Sequence, residues 1–387
     1  MKQGWEIKKL GEVIEIRNGK NQQAVLSETG KYKILGSAGN IMGYATDFIC
    51  EAGTTIIGRK GNISKPIYID ERFWNVDTAF GFYPKNENEI DKRLIYYLCL
   101  GIDFESMNRG TTIPSLVKSE LQTIQINYPK SLSEQQRIVA TLDEAFASIA
   151  KAKANAEQNL KNAKELFESY LQGVFVNKGE GWEEKRFEEL CDLITCGVAA
   201  TPKYVDESVG VPFLSAQNVR DGEVVLDKYR YISKQFHNEL TKKNKPSKGD
   251  ILYSRVGSKF GEAGVVEHDF EFSVYVSLTL IKPKQDRLNS YFLKYYLNSP
   301  LIKDLAKKSI SSSGVPNLNV KEVREFPIKC PSISLQKKIV NEIEIVSVET
   351  KKLEAIYQAK INDLEELKKS VLQKAFNGEL KTAKALV

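Results

Sequence analysis

The sequence has few of the residues that bind metals or form disulfides. In 387 residues there are five cysteines and two histidines. The histidines, His237 and His268, have no Cys or Asp neighbours at ligand spacing, which argues against a zinc site. Cys191 and Cys196 lack a second pair, and the cysteines are too scattered for a disulfide framework. We therefore expect a reduced, cytoplasmic protein.

Signals for membrane insertion, secretion and common catalytic chemistry are also missing. No apolar run approaches the ~18 residues of a membrane span, and MKQGWEIKKL lacks the hydrophobic core of a signal peptide. The segment RNGK, ending at Lys20, lacks the flanking Gly and hydroxyl residues of a P-loop. Carboxylates such as Glu183, Glu184 and Asp250 have no convincing partners around a metal. These absences argue against catalysis by this chain and leave a binding function.

The chain repeats itself once, with its blocks in the same order. GWEIKKLGEV at 4–13 returns as GWEEKRFEEL at 181–190, and GTTIIGRKG around Arg59 matches KGDILYSRVG around Arg255. The further pairs are TTIPSLVKSELQTIQINYP with SSGVPNLNVKEVREFPIKCP, LSEQQRIV with ISLQKKIV, and LFESYLQGVF with LKKSVLQKAF. Because the blocks stay collinear, they predict a duplicated unit of roughly 180–200 residues.

Each unit is predicted to be an α+β globular domain followed by a long helix. Short apolar runs cut by Gly and Asn indicate strands with turns, in no regular alternation with helices. Apolar residues spaced alternately by three and four, at 138–174 and 339–371, are typical of coiled coils. Two matching helices favour an intramolecular antiparallel coiled coil and a pseudo-twofold repeat. The predicted globular domains are 1–132 and 178–332, with the long helices placed in 133–177 and 333–387.

Local signals mark the ends and seams of these helices. Ser133 and Gln136 form a capping-box pattern at the start of the first helix. Asn377-Gly378 predicts the end of the second. The predicted seam of the second helix includes Leu353 and Leu367. A rigid rod of this kind would hold two binding domains at a fixed separation.

The remaining polar chemistry lies in Gly-flanked loops that recur at matching places in both units. Arg reads guanine, Asn and Gln read adenine, and Lys or Ser hold phosphates. The candidate DNA-binding residues are Asn40, Arg59, Lys60, Asn62, Ser64, Lys65, Arg109, Gln217, Asn218, Arg220, Arg255, Ser258 and Lys259. Arg59 and Arg255 are the leading base readers. For both, the alternative is packing of the side-chain stem within the protein.

The ordered set of blocks resembles the specificity subunit of type I restriction–modification systems. The resemblance rests on the paired GWE openings, on YPKSLSEQQRIV and CPSISLQKKIV at the helix starts, and on SVLQKAFNGEL at the end of the second helix. IIGRKGNISKPIYID also resembles one class of target-recognition domain. The similarity covers essentially the whole chain. It implies two target-recognition domains that read the halves of a bipartite double-stranded DNA target, without catalysis by this chain.

The same resemblance implies protein partners. The paired helices would dock two methyltransferase subunits, and restriction and translocase subunits would join the assembly. S-adenosylmethionine would bind to the methyltransferase subunits, and this chain itself is expected to hold no cofactor or metal. The candidate partner-binding residues are Gln135, Gln136, Arg137, Gln336, Lys337 and Lys338. The two sets differ, so the two ends of the rod are expected to bind their partners unequally.

Two other functions stay open on the sequence alone. One is a coiled-coil scaffold with two protein-binding heads, and the other is a DNA nuclease with duplicated lobes. The net charge of +6 is mild, which also fits a chain that binds DNA weakly alone and strongly only with its partners. Salt-dependent DNA binding distinguishes the first alternative, and metal-dependent cleavage distinguishes the second.

Overall fold

The computed structural model describes residues 3–177, 179, 181–199, 202–257, 260–310 and 316–380. The chain divides into two units. Unit 1 comprises the described residues up to Glu157 and those from Gln358 onward, and unit 2 comprises the described residues from Gln158 to Tyr357. Among the described residues, no helix is long and apolar enough to cross a membrane.

Unit 1 combines antiparallel sheets with short helices. Its strands are β1 (Trp5–Lys9), β2 (Ile14–Asn18), β3 (Tyr32–Leu35), β4 (Ile41–Ala45), β5 (Thr54–Gly58), β6 (Ile67–Ile69), β7 (Phe73–Asn75), β8 (Ala79–Pro84) and β9 (Gln125–Pro129). Its short helices are α1 (Leu10–Val13), α2 (Lys92–Leu100) and α3 (Lys118–Leu121), after which the chain enters the long helix α4 (Leu132–Val176). The strand orders are β2-β8-β5-β6, β4-β3-β7 and β1-β9, and only β3 and β7 pair in parallel.

Unit 2 has more strands and more helices. Its strands are β10 (Glu183–Arg186), β11 (Cys191–Cys196), β12 (Tyr204–Val205), β13 (Gly210–Leu214), β14 (Val219–Arg220), β15 (Glu223–Val224), β16 (Arg230–Ser233), β17 (Ile251–Ser254), β18 (Ala263–Val265), β19 (Ser273–Val274), β20 (Leu278–Pro283) and β21 (Pro327–Cys330). Its helices are α5 (Phe187–Leu190), α6 (Lys234–Thr241), α7 (Ser290–Asn298), α8 (Pro300–Lys308) and α9 (Val320–Glu325), followed by the long α10 (Ile333–Phe376).

The two units share one topology, which confirms the predicted duplication and the α+β class. The order β11-β20-β17-β18 repeats β2-β8-β5-β6, and β16-β13-β19 repeats β4-β3-β7, including the parallel pair. The GWE blocks form the equivalent strands β1 and β10, which pair with β9 and β21 just before each long helix. Unit 2 adds β12, the β14–β15 hairpin and α6. These three additions lie between β11 and β17, where the two sequences align poorly, and a further helix, α8, follows α7.

The long helices pair antiparallel, as predicted. In unit 1, Ile138 of α4 shares a hydrophobic core with Leu372 and Ala375 of α10. Further along α4, Lys153 forms an ion pair with Glu365, which lies earlier in α10. Residue numbers therefore rise along one helix as they fall along the other. Unit 2 has the complementary arrangement, because its core joins Leu171 and Phe175 near the end of α4 to Ile339 and Ile343 near the start of α10.

The predicted end of the second helix is confirmed and the predicted start of the first is wrong in detail. Gly378 has a φ of +75°, and the N–H groups of Gly378 and Glu379 donate to Ala375 O and Lys374 O at 3.1 and 2.8 Å. These are the two bonds of a Schellman motif. At the other end, α4 begins at Leu132. Ser133 therefore lies inside the first turn, and its hydroxyl contacts Ser131 Oγ at 2.7 Å instead of forming the capping box.

The predicted seam of α10 also needs correction at two positions. Leu353 and Leu367 are 37% and 48% exposed, so neither packs fully into the helix pair. Other predicted seam residues, such as Ile343 and Thr350, are buried. The period of three and four was correct, but a straight α-helix drifts relative to a strict seven-residue repeat. Apolar residues on the edge of the stripe therefore turn outward.

Candidate nucleic-acid interface

The turn that follows β5 in unit 1 and β17 in unit 2 has the same backbone hydrogen bonds in both. Arg59 N–H donates to Thr78 O at 2.8 Å, and Arg59 O accepts from Leu116 N–H at 2.9 Å. The equivalent bonds of Arg255 join it to Ser277 O at 3.0 Å and to Leu318 N–H at 2.8 Å. Arg59 and Arg255 are therefore structurally equivalent, as their sequence blocks suggested.

Their side chains are used differently. Arg59 as a whole is half-buried, and the one hydrogen bond of its guanidinium within the described residues is Nη1 to Asp77 O at 3.3 Å. Arg255 is only 9% exposed. Its Nε, Nη1 and Nη2 donate to Leu318 O, Val276 O and Asn317 Oδ1 at 2.7, 3.2 and 3.0 Å. Because all three nitrogens of the guanidinium donate to groups within the protein, the geometry favours the packing alternative for Arg255 over base reading.

Most other candidates of unit 1 lie at the surface. Asn40, Lys60, Ser64 and Lys65 are exposed and Asn62 is half-buried. Arg109 is exposed but forms an ion pair with Glu120 at 2.9 Å. The loop that carries several of these residues is anchored by Ile63, which is 1% exposed. The turn therefore presents polar side chains from a fixed backbone.

The candidates of unit 2 divide between surface and interior. Gln217 is exposed, whereas Asn218 is completely buried. Asn218 accepts from Ser215 N–H and donates to the carbonyls of Val225 and Lys228, at 3.0, 3.0 and 2.9 Å, so it holds the loop together. Arg220 is paired with Asp227 at 2.7 Å. Ser258 and Lys259 lie outside the described residues.

The glutamine at each helix start is buried. Gln135 has no exposed surface. Its Nε2 donates to Glu89 O and Pro129 O at 2.9 and 2.8 Å, and its Oε1 accepts from Asp91 N–H at 2.7 Å. The amide thereby joins the start of α4 to the residues just before α2 and to the end of β9. This favours a structural role over the predicted partner contact.

Gln336 repeats this network in unit 2. It is also completely buried. Its Nε2 donates to Arg287 O and Pro331 O, both at 2.8 Å, and its Oε1 accepts from Asn289 N–H at 2.8 Å. Among the other candidates at the helix starts, Gln136, Lys337 and Lys338 are exposed, and Arg137 is paired with Glu134 at 2.6 Å.

An exposed apolar stripe on α10 was missed at the sequence level. Ile345, Val348 and Ile356, all in unit 2, are 66%, 52% and 59% exposed. Spacings of three and eight place them on one side of the helix. They escaped notice because they lie off the predicted seam. A second set of apolar residues beside a coiled-coil seam is the signal that could have revealed them.

A cleft in unit 2 was also missed. It has a volume of about 360 Å³ and is lined by Tyr204, Phe213, Ser215, Ala216, Gln217, Arg230, Tyr275 and Ser277. No local sequence pattern indicates this cleft strongly, because the residues that line it come from segments that are far apart in the chain. The combination of aromatic rings with an arginine suits binding to nucleic acid.

The buried ionisable groups include cysteine thiols. Burial raises the pKa of the Cys50 and Cys191 thiols to about 12, which keeps them protonated near neutral pH. Among the described residues, no group of three or more His, Cys, Asp or Glu side chains could hold a metal ion.

Comparison with known proteins gives a consistent result. The family model described as type I restriction modification DNA specificity domain matches residues 2–161 and 179–366. The EcoBI type I restriction enzyme specificity subunit of Escherichia coli is 24% identical over 359 residues, covering 84% of this chain and 73% of that protein. The MjaVIII specificity subunit of Methanocaldococcus jannaschii is 22% identical, covering 92% of this chain and 90% of that protein.

Solved structures share the fold. A chain from a structure on complex assembly and conformational transition of the type I R-M system superposes with a TM-score of 0.80 at 20% identity, covering 98% of this chain and 99% of the other. The crystal structure of the HsdS subunit from Thermoanaerobacter tengcongensis gives a TM-score of 0.58 at 20% identity, with 98% of each chain covered. At these identities the likeness establishes the architecture.

Proposed function

Because the chain belongs to the family of type I restriction–modification DNA specificity domains, we propose that it reads a bipartite target in double-stranded DNA for a type I restriction–modification complex. The observation that carries this proposal is the duplication of one fold with different surface residues. The two units share strand order and even the backbone bonds around Arg59 and Arg255. Two domains that share a fold but differ in their surface residues suit a DNA target whose two halves differ in sequence.

The differences between the units lie in connections that present side chains. The β3–β4 connection is 36–40, whereas the equivalent β13–β16 connection is 215–229 and includes the β14–β15 hairpin. Base sequence is read by side chains placed in a groove, while the scaffold only positions them. A shared scaffold with unequal loops therefore supports two different half-sites.

Catalysis is assigned to partner proteins. We place methylation in two methyltransferase subunits that bind S-adenosylmethionine, and cleavage in restriction and translocase subunits. The exposed stripe Ile345, Val348 and Ile356 supports a docked protein, because exposed apolar residues on one helix face gain free energy when covered. The exposed Lys337 and Lys338 precede the stripe on the same helix and would add polar contacts to the docked protein.

Methylation mapping tests the proposed function. The tagged full chain is expressed with its modification subunits in a host lacking other adenine methylation, and the host DNA is sequenced for methylated adenine. We expect copurification of methyltransferase subunits and one bipartite methylated motif. Absence of any methylated motif from a complex that assembles would contradict the proposal, and metal-dependent cleavage by the purified chain alone would favour the nuclease alternative.

A paired substitution tests the docking surface. Ile345→Glu with Ile356→Glu introduces two negative charges into the stripe, and Gln358→Glu introduces one negative charge at an exposed position elsewhere on α10. We expect the double variant to lose at least tenfold in methyltransferase copurification, since burying an unpaired carboxylate is costly. Gln358→Glu should copurify normally. Equal recovery of partner with the double variant would remove the stripe from the proposal.

A further inference from the structure

Few arginines in this protein have a guanidinium that is available to a ligand. Within the described residues, most are ion-paired: Arg17, Arg72, Arg93, Arg109, Arg137, Arg186, Arg220 and Arg287. Arg255 and Arg324 donate to backbone carbonyls. The two that remain are Arg59 in unit 1, whose guanidinium makes one hydrogen bond with the described residues, to Asp77 O at 3.3 Å, and Arg230 in unit 2. Arg230 is exposed and makes no ion pair or side-chain hydrogen bond with any described residue.

The strand register fixes Arg230 at the cleft of unit 2. Phe213 of β13 lies directly opposite Arg230 of β16. Tyr204 of β12 pairs with Ile232, two residues along β16 from Arg230. Residues two apart on a strand share a face, and diagonal neighbours across strands come within contact. Tyr204, Arg230 and Phe213 therefore line one face of the sheet.

Arg230 is held by an aromatic ring and not by a carboxylate. Its guanidinium carbon lies 4.5 Å from the centroid of the Tyr204 ring, and Tyr204 is itself 40% exposed. Stacking on a ring fixes the plane of the guanidinium and leaves its N–H edge unpaired. None of the described residues that line the cleft carries a carboxylate. The cleft therefore contains a positively charged guanidinium whose orientation is fixed by an aromatic wall, the ring of Tyr204.

The lining of the cleft also includes Gln217. Asn218 fixes this loop from the interior, and Ala216 N–H donates to Ser277 Oγ at 2.9 Å. Gln217 itself is exposed, and its amide is within 3.4 Å of Lys228 O, a carbonyl that Asn218 already binds at 2.9 Å. The Gln217 amide is therefore weakly held, on a rigid loop, beside the cleft that contains Arg230.

Unit 1 has no such arrangement among its described residues. The backbone bond from Tyr275 N–H to Leu214 O in unit 2 corresponds to the bond from Val76 N–H to Leu35 O in unit 1. This correspondence aligns Phe213 with Ile34, and Arg230 with the residue opposite Ile34, which is Gly43. Unit 1 therefore lacks both the arginine and the aromatic wall at this place, while it keeps Arg59 available at the turn.

We propose that unit 2 reads its DNA half-site through the cleft of Tyr204, Arg230 and Gln217, and that Arg255 holds the neighbouring turn in place. This rests on the proposed function. The N–H edge of Arg230 matches O6 and N7 of guanine in the major groove, and the Gln217 amide matches N6 and N7 of adenine. The two units then read DNA from different parts of the same scaffold, with Arg59 in unit 1 and Arg230 in unit 2.

The test uses the full chain with its modification subunits and compares methylated motifs among variants. Arg230→Ala is expected to weaken the preference for guanine at one position of one half-site by about tenfold or more, the discrimination that a bidentate contact provides. Gln217→Ala should relax a second position of the same half-site. Arg59→Ala should change only the other half-site. Arg287→Ala removes an exposed charge in unit 2 away from the cleft and should leave the motif unchanged.

Conservative variants separate base reading from phosphate binding and from misfolding. Arg230→Lys keeps the charge but loses the planar fork, so the guanine preference should stay weakened. Tyr204→Phe keeps the ring and should retain the motif, whereas Tyr204→Ala should weaken it. Urea midpoints of all variants check folding.

The outcomes distinguish the two proposals. If the wild-type complex has no bipartite motif, the proposed function fails. If it has one and Arg230→Ala leaves both half-sites intact, the inference about the cleft is overturned. It is also overturned if Arg230→Ala weakens binding equally for all sequences and Arg230→Lys restores it fully, because those results identify a phosphate contact.

Discussion

Replacing Gln135 by Ala tests the buried network at the start of α4. The substitution removes two donated bonds and one accepted bond, to Glu89 O, Pro129 O and Asp91 N–H. Each net hydrogen bond contributes about 1 kcal/mol, and a buried group left unpaired costs about 1–3 kcal/mol. Water entering the space left by the side chain can satisfy part of the loss. We therefore expect the free energy of unfolding to fall by about 3 kcal/mol.

The matched control is Gln136→Ala, because Gln136 is the next residue of the same helix and is exposed. It should change stability by less than about 0.5 kcal/mol. Gln135→Glu should be at least as damaging as Gln135→Ala, since an ionised carboxylate accepts hydrogen bonds but does not donate to the two carbonyls. The assay is urea unfolding followed by circular dichroism. A Gln135→Ala variant as stable as Gln136→Ala would refute the structural role, and would return Gln135 to the list of candidate partner contacts.

Three further predictions concern stability. Gly378→Ala should lower it by about 1 kcal/mol, because Ala disfavours the positive φ of the Schellman motif, and thermal melting measures this. Burial lowers the pKa of His237 below its usual 6.5, so the unfolded chain binds more protons than the folded chain as the pH falls below 6.5. The contribution of His237 to the free energy of unfolding is therefore full above pH 6.5. It falls by at most about 1.4 kcal/mol per pH unit as the pH drops from 6.5 through the folded pKa. A wild-type urea midpoint as flat over pH 5–7 as that of His237→Gln would contradict this. Lys153→Ala should cost less than about 1 kcal/mol, because its pair with Glu365 is partly exposed, and a larger loss in urea unfolding would show additional packing.

The architecture could be predicted because its signals are local or repeated. The seam from Ile138 to Val174 has helical spacing that any solvent-exposed coiled coil requires, and the GWE blocks recur because each forms an edge strand beside a long helix. The glycine after Asn377 signals a helix end by its backbone freedom alone. Such features depend on few residues and little tertiary context.

The candidate site could be predicted only in part, because side-chain use depends on distant neighbours. Arg59 and Arg255 occupy the same backbone turn, yet Asn317 and the carbonyls of Val276 and Leu318 engage only the second. Those neighbours lie more than twenty residues away in sequence, so no local pattern reveals them. The cleft around Arg230 was missed for the same reason, since β12, β13 and β16 bring its residues together.

The repeated glutamine shows why similarity between the units is a poor guide to contacts with other molecules. Gln135 and Gln336 occupy equivalent places and make equivalent bonds, because each must join a helix start to a neighbouring helix of its own unit. A residue that makes the same side-chain bonds in both copies thus serves a task that both copies share, which is folding. Reading an asymmetric DNA target is a task that the copies do not share. Its residues must therefore be sought where the units differ, as Arg230 differs from Gly43, and where the side chain is free of internal partners.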